Sequence, residues 1–226
     1  MRFLFSGCSY TAGAELLNQK DSRFSKLICD HFKAEEINLA RNGYGNDNII
    51  LNTVEFLEKD KNIDFVLIQI SGLLRICIPN NNQNSFDQNP FIVLNPATRT
   101  DLKKSTQTII AKLLVGPNNK NNIIWYKLNR YKIVLLDNYL KGLNIPYLFC
   151  CMNKDINYFK DDKELPKSFT DNFIPKSLNE IGQENNFSFG ENYHPLEEAH
   201  KYYAENIFIP EIEKRLGSTT NAQVQP

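Results

Sequence analysis

The sequence predicts an α/β fold, with a parallel sheet covered by helices on both faces. Two observations predict it. Short runs such as residues 65–70, Phe-Val-Leu-Ile-Gln-Ile, are apolar almost throughout, as strands buried on both faces are. Segments with helical apolar spacing alternate with these runs, the pattern of strand–helix–strand units. Residues 2–5 read as the first strand, ending in Ser6-Gly7. Residues 22–32 carry Phe24, Leu27, Ile28 and Phe32 at helical spacing, with Asp21 or Ser22 as the cap. Residues 36–39 read as the second strand, followed by the turn-rich Asn42-Gly43-Tyr44-Gly45-Asn46-Asp47. The next helix starts at Asn46 or Asp47 and shows Ile50, Val54 and Leu57 on one face. Residues 65–70 form the clearest strand. Residues 71–102, rich in Asn, Pro and Ser, read as a long insertion with a short strand at 91–94. Helices are expected near 103–115 and 121–142, a buried strand at 146–152, and a helix near 171–183. A last helix is expected from about Pro195 to Leu216, with proline in the first turn. Residues 1–216 thus read as a single domain, and the polar residues 217–226 as a disordered tail.

The chain has 226 residues, enough for one medium domain. Apolar residues make up 42% and charged residues 23%, which excludes a largely disordered chain. Lysine plus arginine equals aspartate plus glutamate at 26 each, so no bulk charge grips nucleic acid or anionic lipid. The five cysteines, Cys8, Cys29, Cys77, Cys150 and Cys151, form no CxxC pair and are odd in number. They suggest neither a disulfide framework nor a metal site. No run approaches the length of a transmembrane helix or a signal-peptide core. A soluble cytoplasmic protein with no metal or organic cofactor is expected.

In parallel α/β folds the site lies beyond the C-terminal ends of the strands, and three segments there carry chemistry. Gly7-Cys8-Ser9-Tyr10-Thr11 follows the first strand. A serine in such a strand-to-helix turn presents its hydroxyl to the cleft, beside N–H groups that can stabilise an oxyanion. A lone serine there is more often simply a helix cap. Around Gly43 and Gly45, glycine allows positive φ and a close backbone approach, or simply a turn. Glu191-Asn192-Tyr193-His194-Pro195 opens the last helix. His194 there can serve as a base, and Glu191, three residues earlier, can hold its ring. His31 reads as structural and His200 as a surface residue of the last helix.

Together the three segments resemble the SGNH, or GDSL-type, hydrolases. That family's Gly-Asp-Ser-x-x block reads Gly7-Cys8-Ser9-Tyr10-Thr11 here, and its Asp-x-x-His block reads Glu191-Asn192-Tyr193-His194. Gly43 and Gly45 compete for the glycine of its second block. The resemblance spans nearly the whole chain and implies a three-layer α/β/α fold with a flavodoxin-like parallel sheet. Cysteine replaces the aspartate before the nucleophile, and glutamate replaces the triad aspartate. The third block, Gly-x-Asn-Asp in the family, is Ser71-Gly72-Leu73-Leu74-Arg75 here, with Leu73 where the oxyanion asparagine is expected. Ser71, Arg75 or backbone N–H groups can take the place of that donor. A lost donor costs about 100- to 1000-fold in rate.

The resemblance implies a serine ester hydrolase. Ser9 attacks, His194 transfers the proton, Glu191 holds His194, and Gly43, Gly45, Ser71 and Arg75 bind the oxyanion or substrate. The substrate is a small-molecule or glycan ester. Ser9 Oγ and a His194 ring nitrogen are expected about 2.6–3.2 Å apart. Two other readings use the same fold: a non-catalytic carbohydrate- or acyl-ligand-binding protein, and an acyltransferase. The sequence leaves oligomeric state open.

Overall fold

In the computed structural model, residues 1–73, 75–79, 91–94, 120–154 and 167–222 are described. The first strand, β1 (Arg2–Ser6), sits inside the sheet, which is why Phe3, Leu4 and Phe5 need no polar alternation. A short helix, α1 (Ser9–Ala12), follows and ends at Gly13 in the left-handed region. After α2 (Gln19–Ser22) and α3 (Phe24–Phe32), the chain forms β2 (Glu35–Asn38), α4 (Asn46–Lys59) and β3 (Phe65–Ile70). Two short strands, β4 (Ile76–Pro79) and β5 (Phe91–Leu94), pair antiparallel as a separate ribbon. They fall within the expected insertion. The rest of that insertion, and the helix expected near 103–115, lie outside the described residues. The long helix α5 (Lys120–Gly142) leads into β6 (Tyr147–Cys151).

The sheet order is β2-β1-β3-β6, and every neighbouring pair is parallel. Beyond β6 the chain adds one more rung. Phe149 donates to the Asn172 carbonyl and accepts from the Ile174 N–H, a parallel bridge to Phe173. Residues 172–174 therefore extend the sheet edge, where a helix over 171–183 was expected. Helix begins only after Pro175, at α7 (Leu178–Glu184), with α6 (Lys167–Thr170) before it. The Ser177 hydroxyl accepts from the Glu180 N–H while Glu180 accepts from Ser177, a reciprocal cap that fixes this start.

The last helical segment starts at α8 (Glu197–Tyr202), because Pro195 is engaged in an antiparallel bridge with Phe189. It widens into a π-helical turn over Tyr203–Phe208 and resumes as α9 (Ile209–Ala222), reaching into the expected tail. Pro210 supplies the physical reason. It has no N–H for the Asn206 carbonyl and its ring crowds that carbonyl, so the wider turn before it relieves the clash.

From β1 the chain moves to one neighbour, β2; from β3 it moves the other way, to β6. With right-handed crossovers the covering helices lie on opposite faces. On one side α3 packs on β2 and against the π turn, with Phe24 and Phe208 ring centroids 5.0 Å apart. On the other, α4 packs on β1 and β3 and against α5. The adjacent C-terminal ends of β1 and β3 form the switch point at which such sheets open a crevice. The residues just beyond are Gly7 to Ser9 and Ser71.

Candidate active site

Gly7 lets β1 turn sharply into α1. A Cβ on Gly7 would lie 2.3 Å from Thr11 Oγ1 and 2.9 Å from Gln69 Oε1. The closeness reflects the buried Gln69 side chain at the end of β3. Its Oε1 accepts from the Cys8 N–H at 3.0 Å and the Thr11 hydroxyl at 3.2 Å, while its Nε2 donates to the Ile70 carbonyl. Gln69 thus ties the β1 turn to β3. Gly7→Ala should destabilise the fold by about 1–3 kcal/mol through overpacking, read as a lower thermal midpoint. An unchanged midpoint would mean the Gln69–Thr11 cluster yields freely.

Ser9 occupies the first position of α1 and is 5% exposed. Its hydroxyl makes one long contact, 3.8 Å to Cys8 Sγ. Cys8 itself is buried, 3.7 Å from the Met152 sulfur, so the position that carries aspartate in the resembling family here fills the core at the strand ends.

His194 lies on a tight loop. The Gly190 N–H donates to the His194 carbonyl at 2.9 Å, and the Tyr193 N–H to the Gly190 carbonyl at 3.0 Å. Tyr193 adopts φ +60°, a strained left-handed conformation outside glycine. The Tyr10 oxygen lies 2.8 Å from the Tyr193 carbonyl and 2.6 Å from Asn179 Oδ1. The Tyr10 ring meets the His194 ring edge-on at 5.7 Å. Burial, with the nearby Cys8 thiol, pushes the Tyr10 hydroxyl far up, so it remains protonated and donating. The residue after Ser9 therefore anchors the histidine loop. No hydrogen bond joins Ser9 Oγ to His194 directly.

Glu191 is exposed, and it is not the partner of His194. That place belongs to Glu15, whose Oε2 lies 2.7 Å from His194 Nδ1. The same carboxylate accepts the Asn192 N–H at 3.0 and 3.1 Å, the Asn192 side-chain amide at 3.0 Å and the His194 N–H at 3.3 Å. Partial burial works against ionisation of Glu15. The hydrogen bonds from Asn192 and His194 outweigh it and bring the carboxyl down to about 2. The loop turns between residues 190 and 194 so that the Asn192 and His194 N–H groups meet the Glu15 carboxylate, which fills the place beside the ring. Gly190 completes the fit, since a Cβ there would lie 2.7 Å from the Glu15 carboxylate.

The other candidates spread around the switch point. Gly45 caps α4, and its N–H donates to Asn48 Oδ1 at 3.3 Å. A Cβ on Gly45 would strike Cys77 Sγ at 2.5 Å, so this glycine serves the contact with β4. Gly43, at φ +80°, makes the exposed turn before it. Arg75 Nη1 donates to the Tyr44 carbonyl at 2.8 Å and braces that turn. Asn46 holds both backbone groups of Ser71, through Oδ1 to its N–H at 2.9 Å and Nδ2 to its carbonyl at 3.4 Å. The Ser71 hydroxyl is buried with no hydrogen-bond partner. Leu73 is buried in the core. Among the described residues, no three His, Cys, Asp or Glu side chains cluster to hold a metal ion, and no helix is long and apolar enough to cross a membrane.

Sequence reasoning missed Glu15. Its one local signal was an acidic residue shortly after a glycine-ended helical turn, in the same segment as Ser9. It also placed His200 on the surface, whereas His200 is fully buried, with Nδ1 accepting the Phe24 N–H at 3.1 Å.

No protein-family model matches the chain, and no curated protein matches it. Solved structures do. The psychrotrophic esterase EstA from Pseudoalteromonas sp., in a structure inhibited by monoethylphosphonate, is 13% identical with a TM-score of 0.54, over 97% of this chain and 98% of that one. TesA is 12% identical with a TM-score of 0.58, over 96% and 99%. The lipase Lip_vut3 from a goat rumen metagenome is 13% identical with a TM-score of 0.51, over 91% and 94%. The four parallel strands, their helices and these end-to-end matches give the chain the fold of these esterases, shared with a putative lipolytic protein of the G-D-S-L family from Desulfitobacterium hafniense DCB-2, which is 10% identical with a TM-score of 0.52 over 90% of this chain and 95% of that one.

Proposed function

We propose that the protein is a serine ester hydrolase. Ser9 Oγ attacks the ester carbonyl and bonds to its carbon. His194 Nε2 takes the hydroxyl proton and returns it to the departing alcohol. Water then bonds to the acyl carbon as His194 takes its proton, and His194 returns that proton to Ser9 Oγ as the Oγ–acyl bond breaks and the acid leaves. The observation that carries this reading is the contact of Tyr10 with the His194 ring and with the Tyr193 carbonyl. It sets an imidazole beside the residue following Ser9, at the switch point. Hydrogen bonds between nucleophile and base are commonly loose in empty sites and tighten with substrate.

The oxyanion requires donors that face the attacked carbonyl. The Ser9 N–H is one, at a helix start where N–H groups lack intrahelical acceptors. The Ser71 hydroxyl is the second. It is buried and unpartnered, and its backbone is fixed by Asn46, so it holds a donor in place of the asparagine replaced by Leu73. Ser71→Ala should lower kcat by about 100- to 1000-fold. Arg75→Ala should lower it less, since Arg75 acts by bracing the Tyr44 carbonyl. Equal or reversed effects would transfer the donor role to Arg75.

Short acyl esters of small alcohols or glycans fit this chemistry, with the exposed Tyr193 ring beside the base as a stacking surface. All five cysteines are free thiols, which favours a reducing, cytoplasmic setting. A fluorophosphonate probe tests the reading. Wild type should label on Ser9, as located by peptide mapping, and should hydrolyse p-nitrophenyl acetate. If it neither labels nor turns over acetyl to octanoyl esters, the binding-protein reading replaces this one.

A further inference from the structure

We infer that Glu15, carried on the loop that follows the Ser9 helix, is the positioning carboxylate for His194 and the latch that fastens the histidine loop to the nucleophile segment. The inference rests on the hydrolase reading for its catalytic meaning but not for its geometry. One carboxylate receives five hydrogen bonds from two residues: four from the Asn192 backbone and amide and from the His194 backbone, and one at His194 Nδ1. A side chain that only capped a turn would use the backbone N–H groups and leave the ring alone. Here Oε2 faces both the ring and the backbone of the same histidine, so it fixes ring orientation and ring position together.

The tautomer follows. An ionised carboxylate only accepts, so Nδ1 carries the proton and Nε2 is left with its lone pair. That is the form in which Nε2 can take a proton from a serine hydroxyl. The carboxylate also stabilises the imidazolium that forms when it does.

Local backbone supports the latch. Glu15 has φ +68° and Tyr193 φ +60°, so both sides of the contact hold strained left-handed residues that the surrounding hydrogen bonds must maintain. Gly190 supplies the room for the carboxylate that no other residue type leaves. The acid therefore stands 179 residues from its histidine in sequence, while the nucleophile stands only six positions from the acid. Ser9 and Glu15 belong to one segment, and the His194 loop is held to it through Glu15. The carboxylate three residues before the histidine is free to vary.

The test uses the full chain with 15N-labelled histidine, of which there are three. Wild-type His194, assigned through His194→Gln, should show the Nδ1–H tautomer at neutral pH. Glu15→Gln should convert it toward the Nε2–H tautomer, because the Gln amide N–H can donate to Nδ1. Labelling of Ser9 by a fluorophosphonate should slow by about 100- to 10,000-fold in the same variant, with kcat falling and KM little changed. Glu15→Asp should recover part of the rate, and Glu191→Gln should match wild type in both readouts. An Nε2–H tautomer in wild type overturns the inference without any variant. So does a Glu15→Gln protein that keeps the wild-type tautomer, or a Glu191→Gln protein that loses it. If wild type fails to label while Glu15→Gln still flips the tautomer, the hydrolase reading fails and the positioning role stands.

Discussion

Ser9→Ala should remove probe labelling altogether and reduce ester hydrolysis to background, a fall of up to about a millionfold where the triad acts as a unit. The size follows from the chemistry: without Oγ no acyl-enzyme forms, and the donors and binding surface alone give only modest acceleration over water. The structure makes the experiment clean. Ser9 Oγ has a single long contact, to Cys8 Sγ, so its removal breaks no strong hydrogen bond. The variant should keep its thermal midpoint, with a stability change within about 0.5 kcal/mol. His194→Ala should lose activity to a similar extent, and the double variant should be little worse than either alone, because the two groups serve one proton transfer. A Ser9→Ala protein that retains a tenth of wild-type activity would place the nucleophile elsewhere. Additive losses in the double variant would mean that Ser9 and His194 do not act in the same step.

The fold was legible where burial alone dictates the pattern. β3 was read at its observed bounds because Phe65 to Ile70 is inside the sheet, where both faces demand apolar side chains. The turn after β1 and the loop before α8, both singled out in the sequence for their serine and histidine, touch through Tyr10 and His194. What escaped were the features set by long-range contact. Residues 172–174 look helical in isolation, yet their backbone completes the edge of β6. His200 has polar and charged neighbours in sequence, Glu197, Glu198 and Lys201, so it reads as a surface residue. Its ring instead stacks at 5.4 Å on Phe24 and caps the start of α3.

The partner of His194 escaped for the same reason. Spacing within one motif favours Glu191, because a carboxylate three residues before a histidine commonly reaches it. The choice was decided by loop conformation: left-handed residues at Glu15 and Tyr193 and the missing side chain at Gly190. Of these only the glycine is visible in the sequence, and its contact with Glu15 is not. The substitution at the third block shows the opposite case. Leu73 was visible as a missing donor in the sequence, but only Asn46 binding the Ser71 backbone, with a spare buried hydroxyl beside it, indicates how the gap can be filled.

Acid should destabilise the protein well above the range in which carboxylates titrate, and His200 should be the cause. Burial, aided by the nearby His194, brings the His200 imidazole from its ordinary value near 6.5 down to about 3, with the Pro195 carbonyl opposing weakly. The folded chain therefore keeps His200 neutral at pH 5, while the unfolded chain protonates it. Between about pH 6.5 and 3 the unfolded state binds one more proton, so stability is full above 6.5 and falls as pH drops, by about 1.4 kcal/mol per pH unit at the steepest. Glu15 acts in the same direction but lower. Its carboxyl is depressed from 4.5 to about 2, so its contribution is present above 4.5 and is lost as pH falls toward 2. In the window from 6.5 to 4.5 the loss from His200 therefore precedes that from Glu15. Urea unfolding at pH 7.5, 6.5, 5.5 and 4.5 should show wild type losing about 2–3 kcal/mol across that window. His200→Gln should have a lower plateau at neutral pH, because the stack on Phe24 is lost even if the amide oxygen still accepts the Phe24 N–H. Its stability should then stay nearly flat to pH 4.5. If His200→Gln keeps the wild-type slope, the buried imidazole is not what makes the fold acid-sensitive.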